Sequence, residues 1–138
     1  MTKVIEVSFP GGKRVDAHVD DMHIQTDQSK RHGGDGSAPE PFQLFLASIA
    51  TCAGIYAWQF CQARHLSTEG LELKMRCDFD PSQKRYREMT LILTLPHAFP
   101  EQHKESILRA IDLCAVKKHI VDPPTFKVEM QLPRGGKR

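Results

Sequence analysis

Between Pro41 and Ala63 the chain carries no charged side chain. Nothing else in the sequence constrains the fold as strongly. Pro41 suits the first position of a helix, and Gly54 is the sole breaker before Ser67, so the sequence predicts one helix over 41–65. A run of this length could span a bilayer. Gln43, Gln59 and Gln62 interrupt it, however, and Ser48, Thr51 and the alanines keep it only moderately apolar. The reading that fits better is a helix buried nearly all round.

Its length then raises a problem of cover. Twenty-five residues at 1.5 Å rise span roughly 38 Å, whereas a compact domain of this size is only roughly 37 Å across. A single chain of 138 residues can hardly sheath such a helix. The economical solution is a second subunit. Ala47, Ala50, Gly54 and Ala57 form a small-residue stripe at 3–4 spacing that would admit a partner helix. The expectation is a homodimer with two central helices sheathed by sheets. The plainer alternative is one sheet on one face and loops on the other.

Around this helix the chain alternates. Ile5, Val7 and Phe9, a Pro10-Gly11-Gly12 turn, and Val15, Ala17 and Val19 read as a hairpin over 3–9 and 13–19, with a third short strand at 22–26. Gly33, Gly34, Gly36 and Pro39 make 27–40 a loop. Residues 71–79 and 86–95 alternate with one apolar face and are joined by Asp80-Pro81-Ser82, a second hairpin. A helix opens near Pro100, with Ile107, Leu108, Ile111 and Leu113 expected inward. A shorter one begins around Cys114 and stops before Pro123-Pro124. Phe126, Val128, Met130 and Leu132 read as a last strand. The predicted order is β-β-β-α-β-β-α-α-β, an α+β class, in a single domain over 1–138 with no internal repeat.

Charge narrows the function. Lys plus Arg number 19 against 17 Asp plus Glu, so no basic surface dominates and nucleic acid is not the expected partner. The basic tail Arg134–Arg138 reads as a solvated end. Seven scattered histidines form no HxH or HExxH, and no cysteine pair has zinc spacing, so neither metal nor organic cofactor is expected. The N-terminal residues lack the apolar core of a signal peptide, so a reducing cytoplasm is the expected compartment, with no membrane partner.

In that setting the four cysteines are either inert core residues or redox groups. Cys52 and Cys61, nine residues apart, point to opposite sides of the long helix and cannot pair within it. Cys61 and Cys77 read as core. Cys114 stands at a break before a short helix, where backbone amides and nearby Lys117, Lys118 and His119 favour a thiolate. From composition alone, both a Cys52–Cys114 redox pair and two ordinary buried thiols remain open.

The segment from Gly33 through Pro39-Glu-Pro-Phe-Gln-Leu44 to Cys52 resembles the glycine loop, helix start and first cysteine of the OsmC/Ohr family, and Cys114-Ala-Val-Lys-Lys-His-Ile120 resembles its second cysteine motif. The order of elements is similar as well, across essentially the whole chain. The resemblance implies an α+β OsmC-like fold, antiparallel sheets wrapped around a long central helix, and an intertwined homodimer. It also implies a thiol peroxidase that reduces organic hydroperoxides or hydrogen peroxide. Cys52 would attack and become a sulfenic acid, and Cys114 would resolve it as a disulfide. A dithiol reductant, lipoylated or thioredoxin-like, would reopen that disulfide. A buried thiol should have a raised pKa and need a cation. By resemblance Arg31 supplies it, with Arg14 as the alternative. The family's orienting glutamate falls at Phe42, which cannot hold a guanidinium through a salt bridge. Glu40 is the nearest carboxylate. This departure places the chain in a less characterised branch. It keeps two other functions in view: a small hydrophobic ligand-binding protein with Phe45, Tyr56 or Trp58 among the walls of its pocket, and a redox sensor with little turnover.

Overall fold

The computed structural model describes residues 1–134. The basic end expected to be solvated lies outside the described residues beyond Arg134. Strands β1 (Glu6–Gly11), β2 (Arg14–Val19) and β3 (Met22–Thr26) form an antiparallel sheet in that order. Pro10 and Gly11 belong to β1 itself, and the turn tightens to Gly12-Lys13, with Gly12 at φ 58°. Register pairs Val7 with Ala17 and Ala17 with Ile24, so the apolar residues share one face.

The long helix, α1, runs Pro41–Ala63, two residues shorter than expected because Arg64 leaves helical geometry. Strands β4 (Glu72–Asp80) and β5 (Arg85–Thr94) form the second hairpin, in antiparallel register from Glu72↔Thr94 to Asp78↔Glu88, with a shift before Phe79↔Tyr86. Helix α2 (Lys104–Ile111) follows a 3-10 turn at Glu101–His103, and α3 (Ala115–Val121) ends the regular structure.

The core lies where α1, the β4–β5 hairpin and α2 meet. Ala53, Ala57, Phe60 and Cys61 on α1 pack with Ile107 and Ile111 on α2, under Leu71, Leu73, Leu91, Leu93 and Leu95. Cys61 is fully buried there, and Cys77 is half-buried on the inward face of β4. Cys61 is a core residue as its position suggested, whereas Cys77 lies outside the buried cluster.

Two expectations need correction. The small-residue stripe does not form one free surface. A Cβ on Gly54 would lie 3.8 Å from Leu73 of β4, and Ala57 is 1% exposed in the core. These small residues let the chain's own hairpin approach α1. The exposed flank of α1 is instead Phe45, Ala47, Thr51, Ile55 and Trp58. Phe126–Leu132, despite strict alternation, joins no ladder among the described residues. A strand needs a hydrogen-bonding neighbour, and neither sheet of this chain supplies one.

Candidate functional site

The loop over 27–40 fixes where α1 begins. Asp27 is 1% exposed. Its carboxylate accepts from the Ser37 hydroxyl (2.6 Å), the Ser37 N–H (3.0 Å) and the Gln28 N–H (2.7 Å), while its own N–H donates to Pro39 O at 3.1 Å. These donors, Ser37 first, hold the Asp27 carboxyl down at about 2. Gly34 packs so tightly across the loop that a Cβ would meet Gln28 O at 2.2 Å.

Glu40 then precedes α1, and its N–H donates to the Gln43 side chain at 2.9 Å. The Glu40 carboxylate meets His32 Nδ1 at 2.6 Å and the Ser29 N–H at 3.2 Å, contacts that keep it below the usual carboxylate range. So Glu40 orients His32, not Arg31. Arg31 is exposed in the 3-10 turn Lys30–His32, and Arg14 is exposed on β2. Among the described residues of one chain, neither guanidinium is among the groups acting on Cys52.

Cys52 lies one third of the way round α1 from the core face, half-buried against the start of α3. Cys114 caps α3, and its Sγ accepts from the Lys117 N–H at 3.4 Å. The two thiols, 62 residues apart in sequence, lie close enough for each to shift the other's proton affinity. Burial pushes Cys52 up, but donation by the Cys114 thiol and by the Val116 and Ala115 N–H groups outweighs it and leaves Cys52 below the ordinary thiol value. Cys114 moves the other way, because it is buried and its proton is engaged by Cys52.

This reverses part of the sequence reading. The amides opening α3 were expected to favour a Cys114 thiolate, and Cys52 was expected to need a cation. The Ala115 and Val116 N–H groups lower Cys52 as well, while the Lys117 and Val116 N–H groups act on Cys114. Those backbone groups are functional elements that residue identity alone could not reveal. His119 turns its Nδ1–H to Ala115 O at 2.7 Å and does not tune Cys114.

Apolar space lies along α3 beside the residues that follow Cys114. A groove of about 650 Å³ is lined by Phe45, Val116, Ile120 and Phe126 among others. A second, of about 550 Å³, runs past Phe42, Phe45, Ile49, Phe79 and Tyr86. Phe42, at the position of the family glutamate, stacks on Tyr86 with centroids 5.7 Å apart and planes 6° from parallel. An aromatic wall stands where an ion pair would have been. Phe45 lines both grooves, whereas Tyr56 and Trp58 line neither. Among the described residues no three His, Cys, Asp or Glu side chains are grouped to hold a metal ion.

Residues 34–129 match the family model for OsmC-like protein. No curated protein matches the chain. Among solved structures, a protein of Psychrobacter arcticus 273-4 described as an osmotic stress induced and detoxification response protein shares 20% identity, with a TM-score of 0.70 over 86% of this chain and 87% of its own. An OsmC like protein from Mycoplasma pneumoniae shares 15% identity, TM-score 0.65, with 89% of each chain covered. An organic hydroperoxide resistance protein OsmC from Legionella pneumophila shares 18% identity, TM-score 0.56, over 87% of this chain and 89% of its own. These likenesses establish the fold, and within it α1 is the core helix.

Proposed function

Because the chain belongs to the OsmC-like protein family, we propose that it is a thiol-dependent peroxidase that reduces organic hydroperoxides or hydrogen peroxide through Cys52, with Cys114 as the resolving thiol. The observation that carries this reading is the mutual influence of those two thiols, Cys52 lowered and Cys114 raised from the ordinary thiol value. In the attack, the Cys52 Sγ–O bond forms as the O–O bond breaks, and the alkoxide takes the proton of the adjacent Cys114 thiol. Cys114, now a thiolate, attacks the sulfenic sulfur. A disulfide forms, and hydroxide leaves as water with a proton from solvent. The apolar grooves would seat the organic part of the hydroperoxide.

In this proposal Arg31 supplies the activating cation across an interface with a second copy, since within one chain it does not reach Cys52. A reducing compartment such as the cytoplasm and a dithiol reductant would complete the cycle. The test is peptide mapping under non-reducing conditions after stoichiometric cumene hydroperoxide. A Cys52–Cys114 disulfide is expected, with turnover kept in Cys61→Ser and Cys77→Ser. Turnover that persists in Cys52→Ser would sink the assignment. The two grooves favour a second reading, a carrier of small hydrophobic ligands. Copurifying ligand without peroxide consumption would select it.

A further inference from the structure

Helix α3 presents different residues to two openings. Ala115, Val116, His119 and Ile120 face the apolar groove beside Phe45. Cys114, Lys117, Lys118 and Val121, with Asp112 and Leu113, line a separate opening of about 350 Å³. At about 100° per residue these two sets lie on opposite sides of the helix. The second opening touches Cys114 and includes no residue of α1.

We propose that the two openings divide the cycle: hydroperoxide reaches Cys52 from the apolar groove, and the dithiol reductant enters the polar opening on the other face of α3, attacks Cys114 Sγ and expels the Cys52 thiolate. The inference rests on the thiol-peroxidase reading and adds the route and direction of reduction to it. Thiolates displace along the S–S axis, from the side away from the leaving sulfur. A thiolate in this opening meets Cys114, which lines it, and not Cys52, which does not. The polar lining supports this route. Lys117 is paired with Asp112, and the exposed Lys118, which has no ion-pair partner among the described residues, stands at the rim, suited to an anionic sulfur. The leaving group agrees as well, since Cys52 is the lowered thiol of the two and the more acidic thiol leaves faster.

The electrons balance in two exchanges. One carrier thiolate bonds to Cys114 Sγ as the Cys52–Cys114 bond breaks, and the electron pair goes to Cys52. The carrier's second thiol, deprotonated to solvent, attacks the carrier's first sulfur and forms the carrier disulfide. Cys114 is released and takes up a proton.

The test separates this inference from the function it rests on. The disulfide is made with diamide and verified by non-reducing mapping, so absent peroxide turnover would count against the peroxidase reading alone. The oxidised protein is then mixed with 2-mercaptoethanol, a monothiol that stalls at the mixed disulfide, quenched in acid within seconds and mapped. The adduct is expected on Cys114 at least tenfold over Cys52. An adduct on Cys52, or an even split, overturns the proposal. Failure of diamide to join Cys52 to Cys114 overturns both readings. In a second measurement, Lys118→Trp is expected to slow reduction by dithiothreitol at least fivefold, while the oxidation of Cys52 by cumene hydroperoxide stays within twofold of wild type. Ile120→Trp, in the apolar grooves, should do the reverse. If Lys118→Trp leaves reduction unchanged, or slows both half-reactions alike, the separate port does not exist.

Discussion

Two residues carry opposite electrostatic assignments that can be read in solution. Cys52 is held below the ordinary thiol value and Cys114 above it, so their alkylation should separate along the pH axis. A lowered pKa means thiolate at lower pH. With iodoacetamide followed by mass spectrometry, Cys52 should be half-modified at a lower pH than Cys114, and Cys114 should resist until more alkaline conditions. Coincident profiles would show that the amides of α3 do not act on Cys52. Asp27 makes a second prediction. Its folded-state pKa of about 2 lies below the ordinary carboxyl value of 3.8, so its stabilising contribution is present above the unfolded value and lost as pH falls through about 2. The melting-temperature difference between wild type and Asp27→Asn should therefore hold from pH 7 down to about 4 and shrink toward pH 2. A difference that is constant with pH would mean that Asp27 contributes by shape, not by charge.

At the scale of elements, the 27–40 loop and α3 set the register of the site, and both can be broken locally. At Gly34 a methyl group would sit 2.2 Å from the Gln28 carbonyl oxygen and 2.8 Å from Asp27 Oδ1. Backbone cannot yield there as a flexible side chain would, so Gly34→Ala should cost about 1–3 kcal/mol, read as a lowered denaturation midpoint with an unchanged slope. The loop itself was legible from its glycines and Pro39, but its organiser was not. Asp27 follows the last residue of β3 and looks like any loop carboxylate until its donors fold back over it. Strands β4 and β5 and helix α1 were legible because period and lack of charge are properties of the sequence alone. Which thiol the α3 amides serve depends on how α1 and α3 pack, and no local pattern encodes that. Phe126–Leu132 shows the converse: its alternation is plain, yet no ladder forms, because alternation specifies a face and not a neighbour.

The whole molecule leaves apolar surface that one chain does not cover. Ile55 and Trp58 on α1 are each nearly half exposed, Val7 and Phe9 stand open on β1, and Val128 and Met130 are almost wholly exposed. Soluble monomers rarely leave contiguous surface of this kind open. The β1–β3 sheet, moreover, packs on no helix of its own chain as extensively as β1, β2 and β3 pack on one another. Three unpartnered features, a helix flank, a sheet face and an alternating segment, have shapes that complement one another. A helix flank can lie on a sheet face, and an alternating segment can add to a sheet edge. A second copy supplies all three at once, and it would bring another Arg31 into a shared structure, where the proposed mechanism has it add to the groups that already lower Cys52. Sedimentation at micromolar concentration should therefore give a dimer. Trp58→Glu places a charge on the flank to be buried, so it should weaken that dimer at least a hundredfold, about 2.7 kcal/mol, while the monomer keeps the β4–β5 and α2 core on the other side of α1. If peroxide consumption falls in step with the dimer fraction across a dilution series of Trp58→Glu, the site is completed by the partner. If activity per chain stays constant as the dimer dissociates, Cys52 and Cys114 suffice within one chain, and the cation must be sought elsewhere than Arg31.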